Sequence, residues 1–245
     1  MTEYSSRLAW TSGVTKSFGG ITALKDVSLI VGPGEVVGLI GPNGAGKTTL
    51  LNILSGFIHP DQGEIFISGR SVKNWGPEKI ARAGVARTFQ LSKVLPDLSV
   101  RDNLLLGAHV AKLEKRRALT VIREVMEKLG LAPLAHQPAE RLSGGQARLL
   151  EFGACLISSP RLLLLDEPFA AIHPHFKDIL IRFIREELSM GRTFLIVSHD
   201  LSALAELKPR IVFLNGGEVA ADGSLDSILN NKALVETYLG ALSNV

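Results

Sequence analysis

The spacing of apolar and polar positions changes several times along the chain, and each change predicts an element. Short β-like runs over residues 1 to 35, Leu24 to Val31 among them, are broken by Gly19, Gly20, Gly32 and Gly34, which predicts antiparallel strands and turns. Glu35 to Ile40 is a short apolar strand that enters a glycine-rich turn, and the turn opens onto a helix from about Lys47 to Ser55. GEIFIS, Gly63 to Ser68, alternates like a strand, and Gly84 to Gln90 reads as another, reached through a helix that starts near Pro77.

From about Pro96 to Ala135 the pattern is helical, Pro133 and Pro138 punctuate a linker, and a further helix is predicted near Gln146 to Ile157. RLLLLD then reads as a strand buried on both sides, followed by a helix whose Phe176, Ile179, Leu180, Phe183, Ile184 and Leu188 form one apolar face. Thr193 to Val197 and Arg210 to Leu214 supply two more strands around a helix near Leu201 to Leu207. Strands alternating with helices imply an α/β fold, with a mostly parallel sheet covered on both faces, an N-terminal antiparallel β subdomain and an inserted helical subdomain. The expected organisation is one domain over residues 1–245. Residues 1–90 and 160–245 form its core, and about 91–159 form the helical part.

Composition narrows the class. With 245 residues, 46% hydrophobic and 21% charged, the chain has the balance of a globular protein able to bury roughly 70–75% of its unfolded surface. No apolar run reaches membrane-spanning length, and MTEYSSRLAW has no basic segment leading into an apolar one, so the expected address is cytoplasmic. The lone Cys155 fits a reducing compartment. A net charge of +3 does not by itself imply nucleic acid, and the basic cluster Lys112, Lys115, Arg116, Arg117 precedes Ile122, Val125, Met126 and Leu129 at helical spacing, as a solvated helix face does.

Gly41, Pro42, Asn43, Gly44, Ala45, Gly46, Lys47 and Thr48 match G-x-x-x-x-G-K-[ST], with Thr49 following, between a predicted strand and a predicted helix. Glycines let backbone N–H groups curl around a phosphate, the helix N-terminus adds partial positive charge, Lys47 reaches the terminal phosphate oxygens, and Thr48 can ligate Mg²⁺. The expected ligands are a nucleoside triphosphate and Mg²⁺. Such a site needs an acid at the end of a buried strand and a group that activates water. LLLLDEP supplies Asp166 for the metal shell and Glu167 as the base.

With LSGGQ at Leu142 to Gln146, the set resembles the ATP-binding cassette (ABC) ATPases over essentially the whole chain. The resemblance implies that Ser143, Gly144, Gly145 and Gln146 meet ATP bound to an opposing subunit, and a Ser hydroxyl with free N–H groups at a helix start is a fitting anion site. It also implies that His199 in FLIVSHD contacts the γ-phosphate and helps position Glu167, and that Gln90 in ARTFQ senses Mg²⁺ and links the core to the helical part. Phe18 takes the place of the aromatic that stacks on adenine, with Trp10 and Tyr4 as alternatives. GVARTFQ, ITALKDVSL and VETYLG look like the ATP-binding subunits of branched-chain amino-acid importers. That likeness implies a second ATPase subunit, two membrane permeases, an extracytoplasmic solute-binding protein, and a position on the cytoplasmic face of the inner membrane. The region Gln90 to Leu98 would then receive a permease's coupling helix.

One segment departs from the family pattern. After Glu167 and Pro168 the chain reads Phe169, Ala170, Ala171, Ile172, His173, Pro174, with His173 where an Asp or Asn is usual. The expectation is weaker coupling between the two nucleotide sites, or an asymmetric partner. An exporter ATPase, a soluble ABC ATPase acting on nucleic acid and a non-hydrolysing regulator are the other classes. The presence of Lys47, Glu167 and His199 opposes the last, and the short interval between Lys47 and Asp166, with no coiled coil in it, opposes a chromosome-type member.

Overall fold

Four consecutive leucines end at Asp166, and all five residues of this strand, β7 (Leu162–Asp166), are buried. Its alternate side chains go to opposite sides: Leu163 and Leu165 join one apolar cluster, Leu162 and Leu164 the other. That is why the run is continuously apolar instead of alternating. The computed structural model describes residues 7–90 and 93–231, with 234 and 236. VETYLG and Tyr4 lie largely or wholly outside them.

The N-terminal part forms a four-stranded antiparallel sheet in the order β2-β1-β4-β5, from β1 (Ala9–Phe18), β2 (Ile21–Val31), β4 (Gln62–Ile67) and β5 (Arg70–Ser71). The other sheet has six strands in the order β10-β9-β3-β8-β7-β6, with β3 (Val36–Ile40), β6 (Val85–Arg87), β8 (Thr193–Val197), β9 (Arg210–Asn215) and β10 (Glu218–Ser224). It is parallel except at β10, which pairs antiparallel with β9. β10 was not foreseen: its sequence EVAADGS carries little apolar alternation, as suits an edge strand with half-exposed side chains.

Helices α1 (Lys47–Leu54) and α2 (Pro77–Arg82) lie in the first half of the chain. The region expected to be helical contains α3 (Val100–Val110), α4 (Lys115–Lys128), two short 3₁₀ turns and α5 (Gly144–Ile157). The last third carries α6 (Pro174–Ser189), α7 (Leu201–Ala205) and α8 (Leu225–Leu229). The strand expected over Gly84 to Gln90 is shorter, because the backbone leaves the sheet after Arg87.

One apolar cluster joins β7, β8 and β9 to α3, α4, α5 and α6, so these helices share a core with the parallel sheet. Phe152 on α5 meets Phe183 on α6 edge to face at 5.7 Å, and emptying such a buried site costs about 3–5 kcal/mol. The second cluster places α1 between the two sheets. The basic residues Lys115, Arg116 and Arg117 are exposed on α4 while Ile122, Val125 and Met126 are buried, as their spacing predicts. Among the described residues no helix is long and apolar enough to cross a membrane.

Candidate functional site

β3 ends at Ile40, and the chain turns through residues 41–46 before α1 begins at Lys47. Side chains would close this turn. At Gly46 (φ 99°) a Cβ would lie 2.5 Å from the carbonyl oxygen of Ala23, whereas at Gly44 (φ 77°) it would meet no atom within 4 Å. The first glycine permits packing and the second leaves an open cradle. No side chain caps α1, so its leading N–H groups remain available to an anion. The Lys47 ammonium donates to the carbonyls of Gly41 and Pro42 at 2.7 and 2.8 Å, folded back over the cradle.

A cavity of about 840 Å³ opens here, lined by residues 43–49, Gln90, Asp166, Glu167, residues 169–172, Lys177, His199 and Asp200. The parallel sheet explains the convergence: β3, β7 and β8 run side by side and their C-terminal ends deliver the turn at 41–46, the pair Asp166–Glu167 and His199 to one edge. Glu167 has φ 50°, a left-handed conformation that costs a non-glycine residue about 1 kcal/mol or more and is met at functional sites. Its N–H donates to Val197 O at 2.9 Å, which ties β7's end to β8's.

The carboxylate of Glu167 accepts the His199 backbone N–H on Oε2 at 3.2 Å, while buried Oε1 has no hydrogen bond and lies 3.2 Å from His199 Nε2. Burial raises the Glu167 carboxyl above its ordinary range, against the pull of the His199 N–H and Lys47. Burial, helped by Lys47, lowers the His199 imidazole, which favours its neutral form beside Glu167. Burial also lowers the Lys47 ammonium, while Glu167 and Asp166 oppose the shift. Asp166 is buried, and its Oδ2 is 3.0 Å from Arg87 Nη2.

Gln90 lines the cavity, and its backbone is held from α5. Arg148 donates to the carbonyls of Phe89 and Gln90, Glu151 accepts the Phe89 N–H at 3.0 Å, and Arg148 and Glu151 approach to 3.3 Å. Sequence reasoning missed Arg87, Arg148 and Glu151, although two opposite charges three residues apart on the helix predicted near Gln146 to Ile157 were a usable signal. It also missed Lys177, which pairs with Asp200. Burial pushes the Asp200 carboxyl up, but Lys177, Ser202 and the Ala203 N–H together bring it down to about 2.

Ser143, Gly144, Gly145 and Gln146 do not line this cavity. They start α5 with a capping box: Ser143 Oγ accepts the Gln146 N–H at 3.3 Å, and Gln146 Oε1 accepts the Ser143 N–H at 2.9 Å. The glycines differ. Gly144 has open space beside it, while a Cβ at Gly145 would be 2.3 Å from the Phe176 ring. Phe18 is about half exposed, beside the Lys16 ammonium, and lies outside the cavity lining. Trp10, an alternative to Phe18 for stacking on adenine, is buried in a stack on Phe66 at 4.5 Å and lines a different cavity. His173 caps α6, its Nδ1 accepting the His175 N–H at 3.2 Å.

The family model for the ABC transporter matches residues 24–170, more than half of the chain. The chain belongs to the ABC transporter ATPase family. Within it, the chain is 36% identical to the probable branched-chain amino acid transport ATP-binding protein LivG of Archaeoglobus fulgidus, over 96% of each chain. It is 35% identical to the high-affinity branched-chain amino acid transport ATP-binding protein BraF of Pseudomonas aeruginosa, over 94% of this chain and 96% of that one. Among solved structures, a nucleotide-free ATP-binding cassette from an ABC transporter superposes with a TM-score of 0.86 at 29% identity, covering 95% of this chain and 98% of that one. The ADP conformation of another such cassette gives 0.84 at 30% identity, covering 96% and 99%. The ABC ATPase fold read from the sequence is therefore the fold observed, and the protein is a transporter ATPase that hydrolyses ATP.

Proposed function

We propose that this subunit drives the uptake of a small polar solute, a branched-chain amino acid or a related amino acid or amide. The observation that carries the reading is the convergence of Lys47, Asp166, Glu167 and His199 on one cavity, in a chain similar along its length to proteins named for branched-chain amino acid transport. The residues fit a triphosphate with Mg²⁺: an open glycine cradle, an uncapped helix start, and a buried carboxylate oxygen without a hydrogen bond. Thr48, Gln90 and Asp166 would hold the metal, which when bound neutralises charge developing on the phosphates.

The other residues act through their own atoms. Lys47 leaves the carbonyls of Gly41 and Pro42 for the terminal phosphates, and residues 41–49 enclose them through backbone N–H groups. Glu167, kept basic by burial, takes a proton from the attacking water at its unbonded Oε1, and His199 holds that carboxylate in place. Phe18 stacks on adenine. Ser143, Gly144, Gly145 and Gln146 close over the nucleotide of a second ATPase subunit.

In this reading residues 91–159 form a helical subdomain that takes up the motion. Two permeases at the cytoplasmic face of the inner membrane receive it near Gln90 to Leu98, and a solute-binding protein outside delivers the cargo. Capture of tagged Glu167→Gln protein with ATP from detergent-solubilised host membranes tests the assembly. Two permease chains and a second cassette are the expected companions, and recovery of nucleic-acid proteins alone would sink the proposal.

A further inference from the structure

Arg87 forms an ion pair with Asp166 at 3.0 Å and does not itself line the cavity. Its side chain is 5% exposed and that of Asp166 4%, so two opposite charges are held almost out of water. A buried pair of this kind gains little net stability over apolar residues of the same shape, which directs attention to what its geometry achieves. The guanidinium is forked. Nη2 donates to Asp166 Oδ2 at 3.0 Å, while Nη1 donates to Asn52 Oδ1 at 2.7 Å and to Ser55 Oγ at 2.9 Å.

Asn52 lies on α1 and Ser55 is its C-cap residue. This is the helix whose first turn holds Lys47 and Thr48. Ser55 is itself fixed, donating from Oγ to Leu51 O at 2.6 Å. The rings of Phe57 and Phe89 lie 5.8 and 5.0 Å from the guanidinium carbon and limit its movement. The backbone of Arg87 is anchored as well, because its carbonyl accepts from Cys155 Sγ on α5. Arg87 therefore joins, through one rigid planar group, the strand end carrying Asp166 to the helix carrying Thr48.

We infer that Arg87 is a positioning residue for the divalent cation: it sets the rotamer of Asp166 and the distance between that carboxylate and Thr48, leaving Oδ1 for the metal's shell. The inference rests on the proposed reading of Asp166 and Thr48 as metal-shell groups. Arg is suited to the task, since its fork meets a carboxylate and two neutral acceptors at fixed angles, which the single ammonium of Lys does not.

The test uses the full chain and a fluorescent ATP analogue, titrated first in EDTA and then with MgCl₂ at fixed nucleotide. In Arg87→Met the metal-free affinity should stay within about 2-fold, while the Mg²⁺ concentration for half-maximal strengthening rises about 10-fold or more, as lost outer-shell partners do to metal sites. Arg87→Lys should fall between the two. If Arg87→Met is not recovered folded, the pair Asn52→Ala and Ser55→Ala frees only the α1 side and should raise the Mg²⁺ midpoint by about 3-fold, a part of that outer-shell effect. An unchanged midpoint, or an equal loss with and without Mg²⁺, would reduce Arg87 to a structural residue and overturn the inference. If the unaltered protein bound the analogue no more tightly with Mg²⁺, the metal reading of the site would fall, and the inference with it.

Discussion

Glu151, a buried carboxylate on α5, accepts the backbone N–H of Phe89 at 3.0 Å, one residue before the cavity-lining Gln90. Arg148, one turn earlier on the same helix, takes the carbonyls of Phe89 and Gln90. The helix that begins with the LSGGQ segment thus grips the backbone that presents Gln90.

Removing one partner from such a pair leaves a buried charge exposed to its desolvation cost. Glu151→Ala should lose about 3–5 kcal/mol in urea unfolding, and Glu151→Gln, which keeps an acceptor for Phe89, clearly less. A Glu151→Ala variant as stable as the unaltered chain would show that the clamp is not tight.

Gly145 lies against Phe176, and a methyl group there would sit 2.3 Å from the ring. Gly145→Ala should destabilise the chain by about 1–3 kcal/mol through overpacking, and adding Phe176→Leu should recover part of the loss. Gly144→Ala, with open space beside it, should leave thermal unfolding almost unchanged. Equal melting shifts for the two glycine variants would count against the packing account.

Burial raises the Glu167 carboxyl above its ordinary value of 4.5. If Glu167 is the base, as proposed, it works only when deprotonated, so ATP hydrolysis should fall as pH drops through that raised value, at higher pH than an exposed glutamate would require. Glu167→Gln should bind ATP and lose about 10²- to 10⁴-fold in turnover, taking this acid limb with it. Full turnover in that variant would remove Glu167 from the role of base.

His173 caps α6 through its ring, and an aspartate can accept the same N–H with a charge that suits the helix start. His173→Asp should therefore add about 0.3–1 kcal/mol of stability and also raise the cooperativity of ATP hydrolysis, if this position weakens communication between paired subunits. Stabilisation with unchanged rate and cooperativity would confine His173 to the cap.

Much of the site was legible because its chemistry is local. The turn from Gly41 to Thr48 needs consecutive residues of fixed type, and Asp166 and Glu167 follow a run of four leucines that suits a strand buried on both faces. The helical period of α4 and α6 was equally plain, since each hides one face. β10 was not, because an edge strand needs no apolar alternation.

What tertiary structure alone decided was which charges share a site. Arg87 and Asp166, or Phe89 and Glu151, are far apart along the chain, and nothing in their immediate neighbours encodes the pairing. They meet because β6 and β7 lie side by side and α5 contacts the end of β6 and the residues that follow it. Once water is excluded there, a buried charge is costly unless folding brings it a partner.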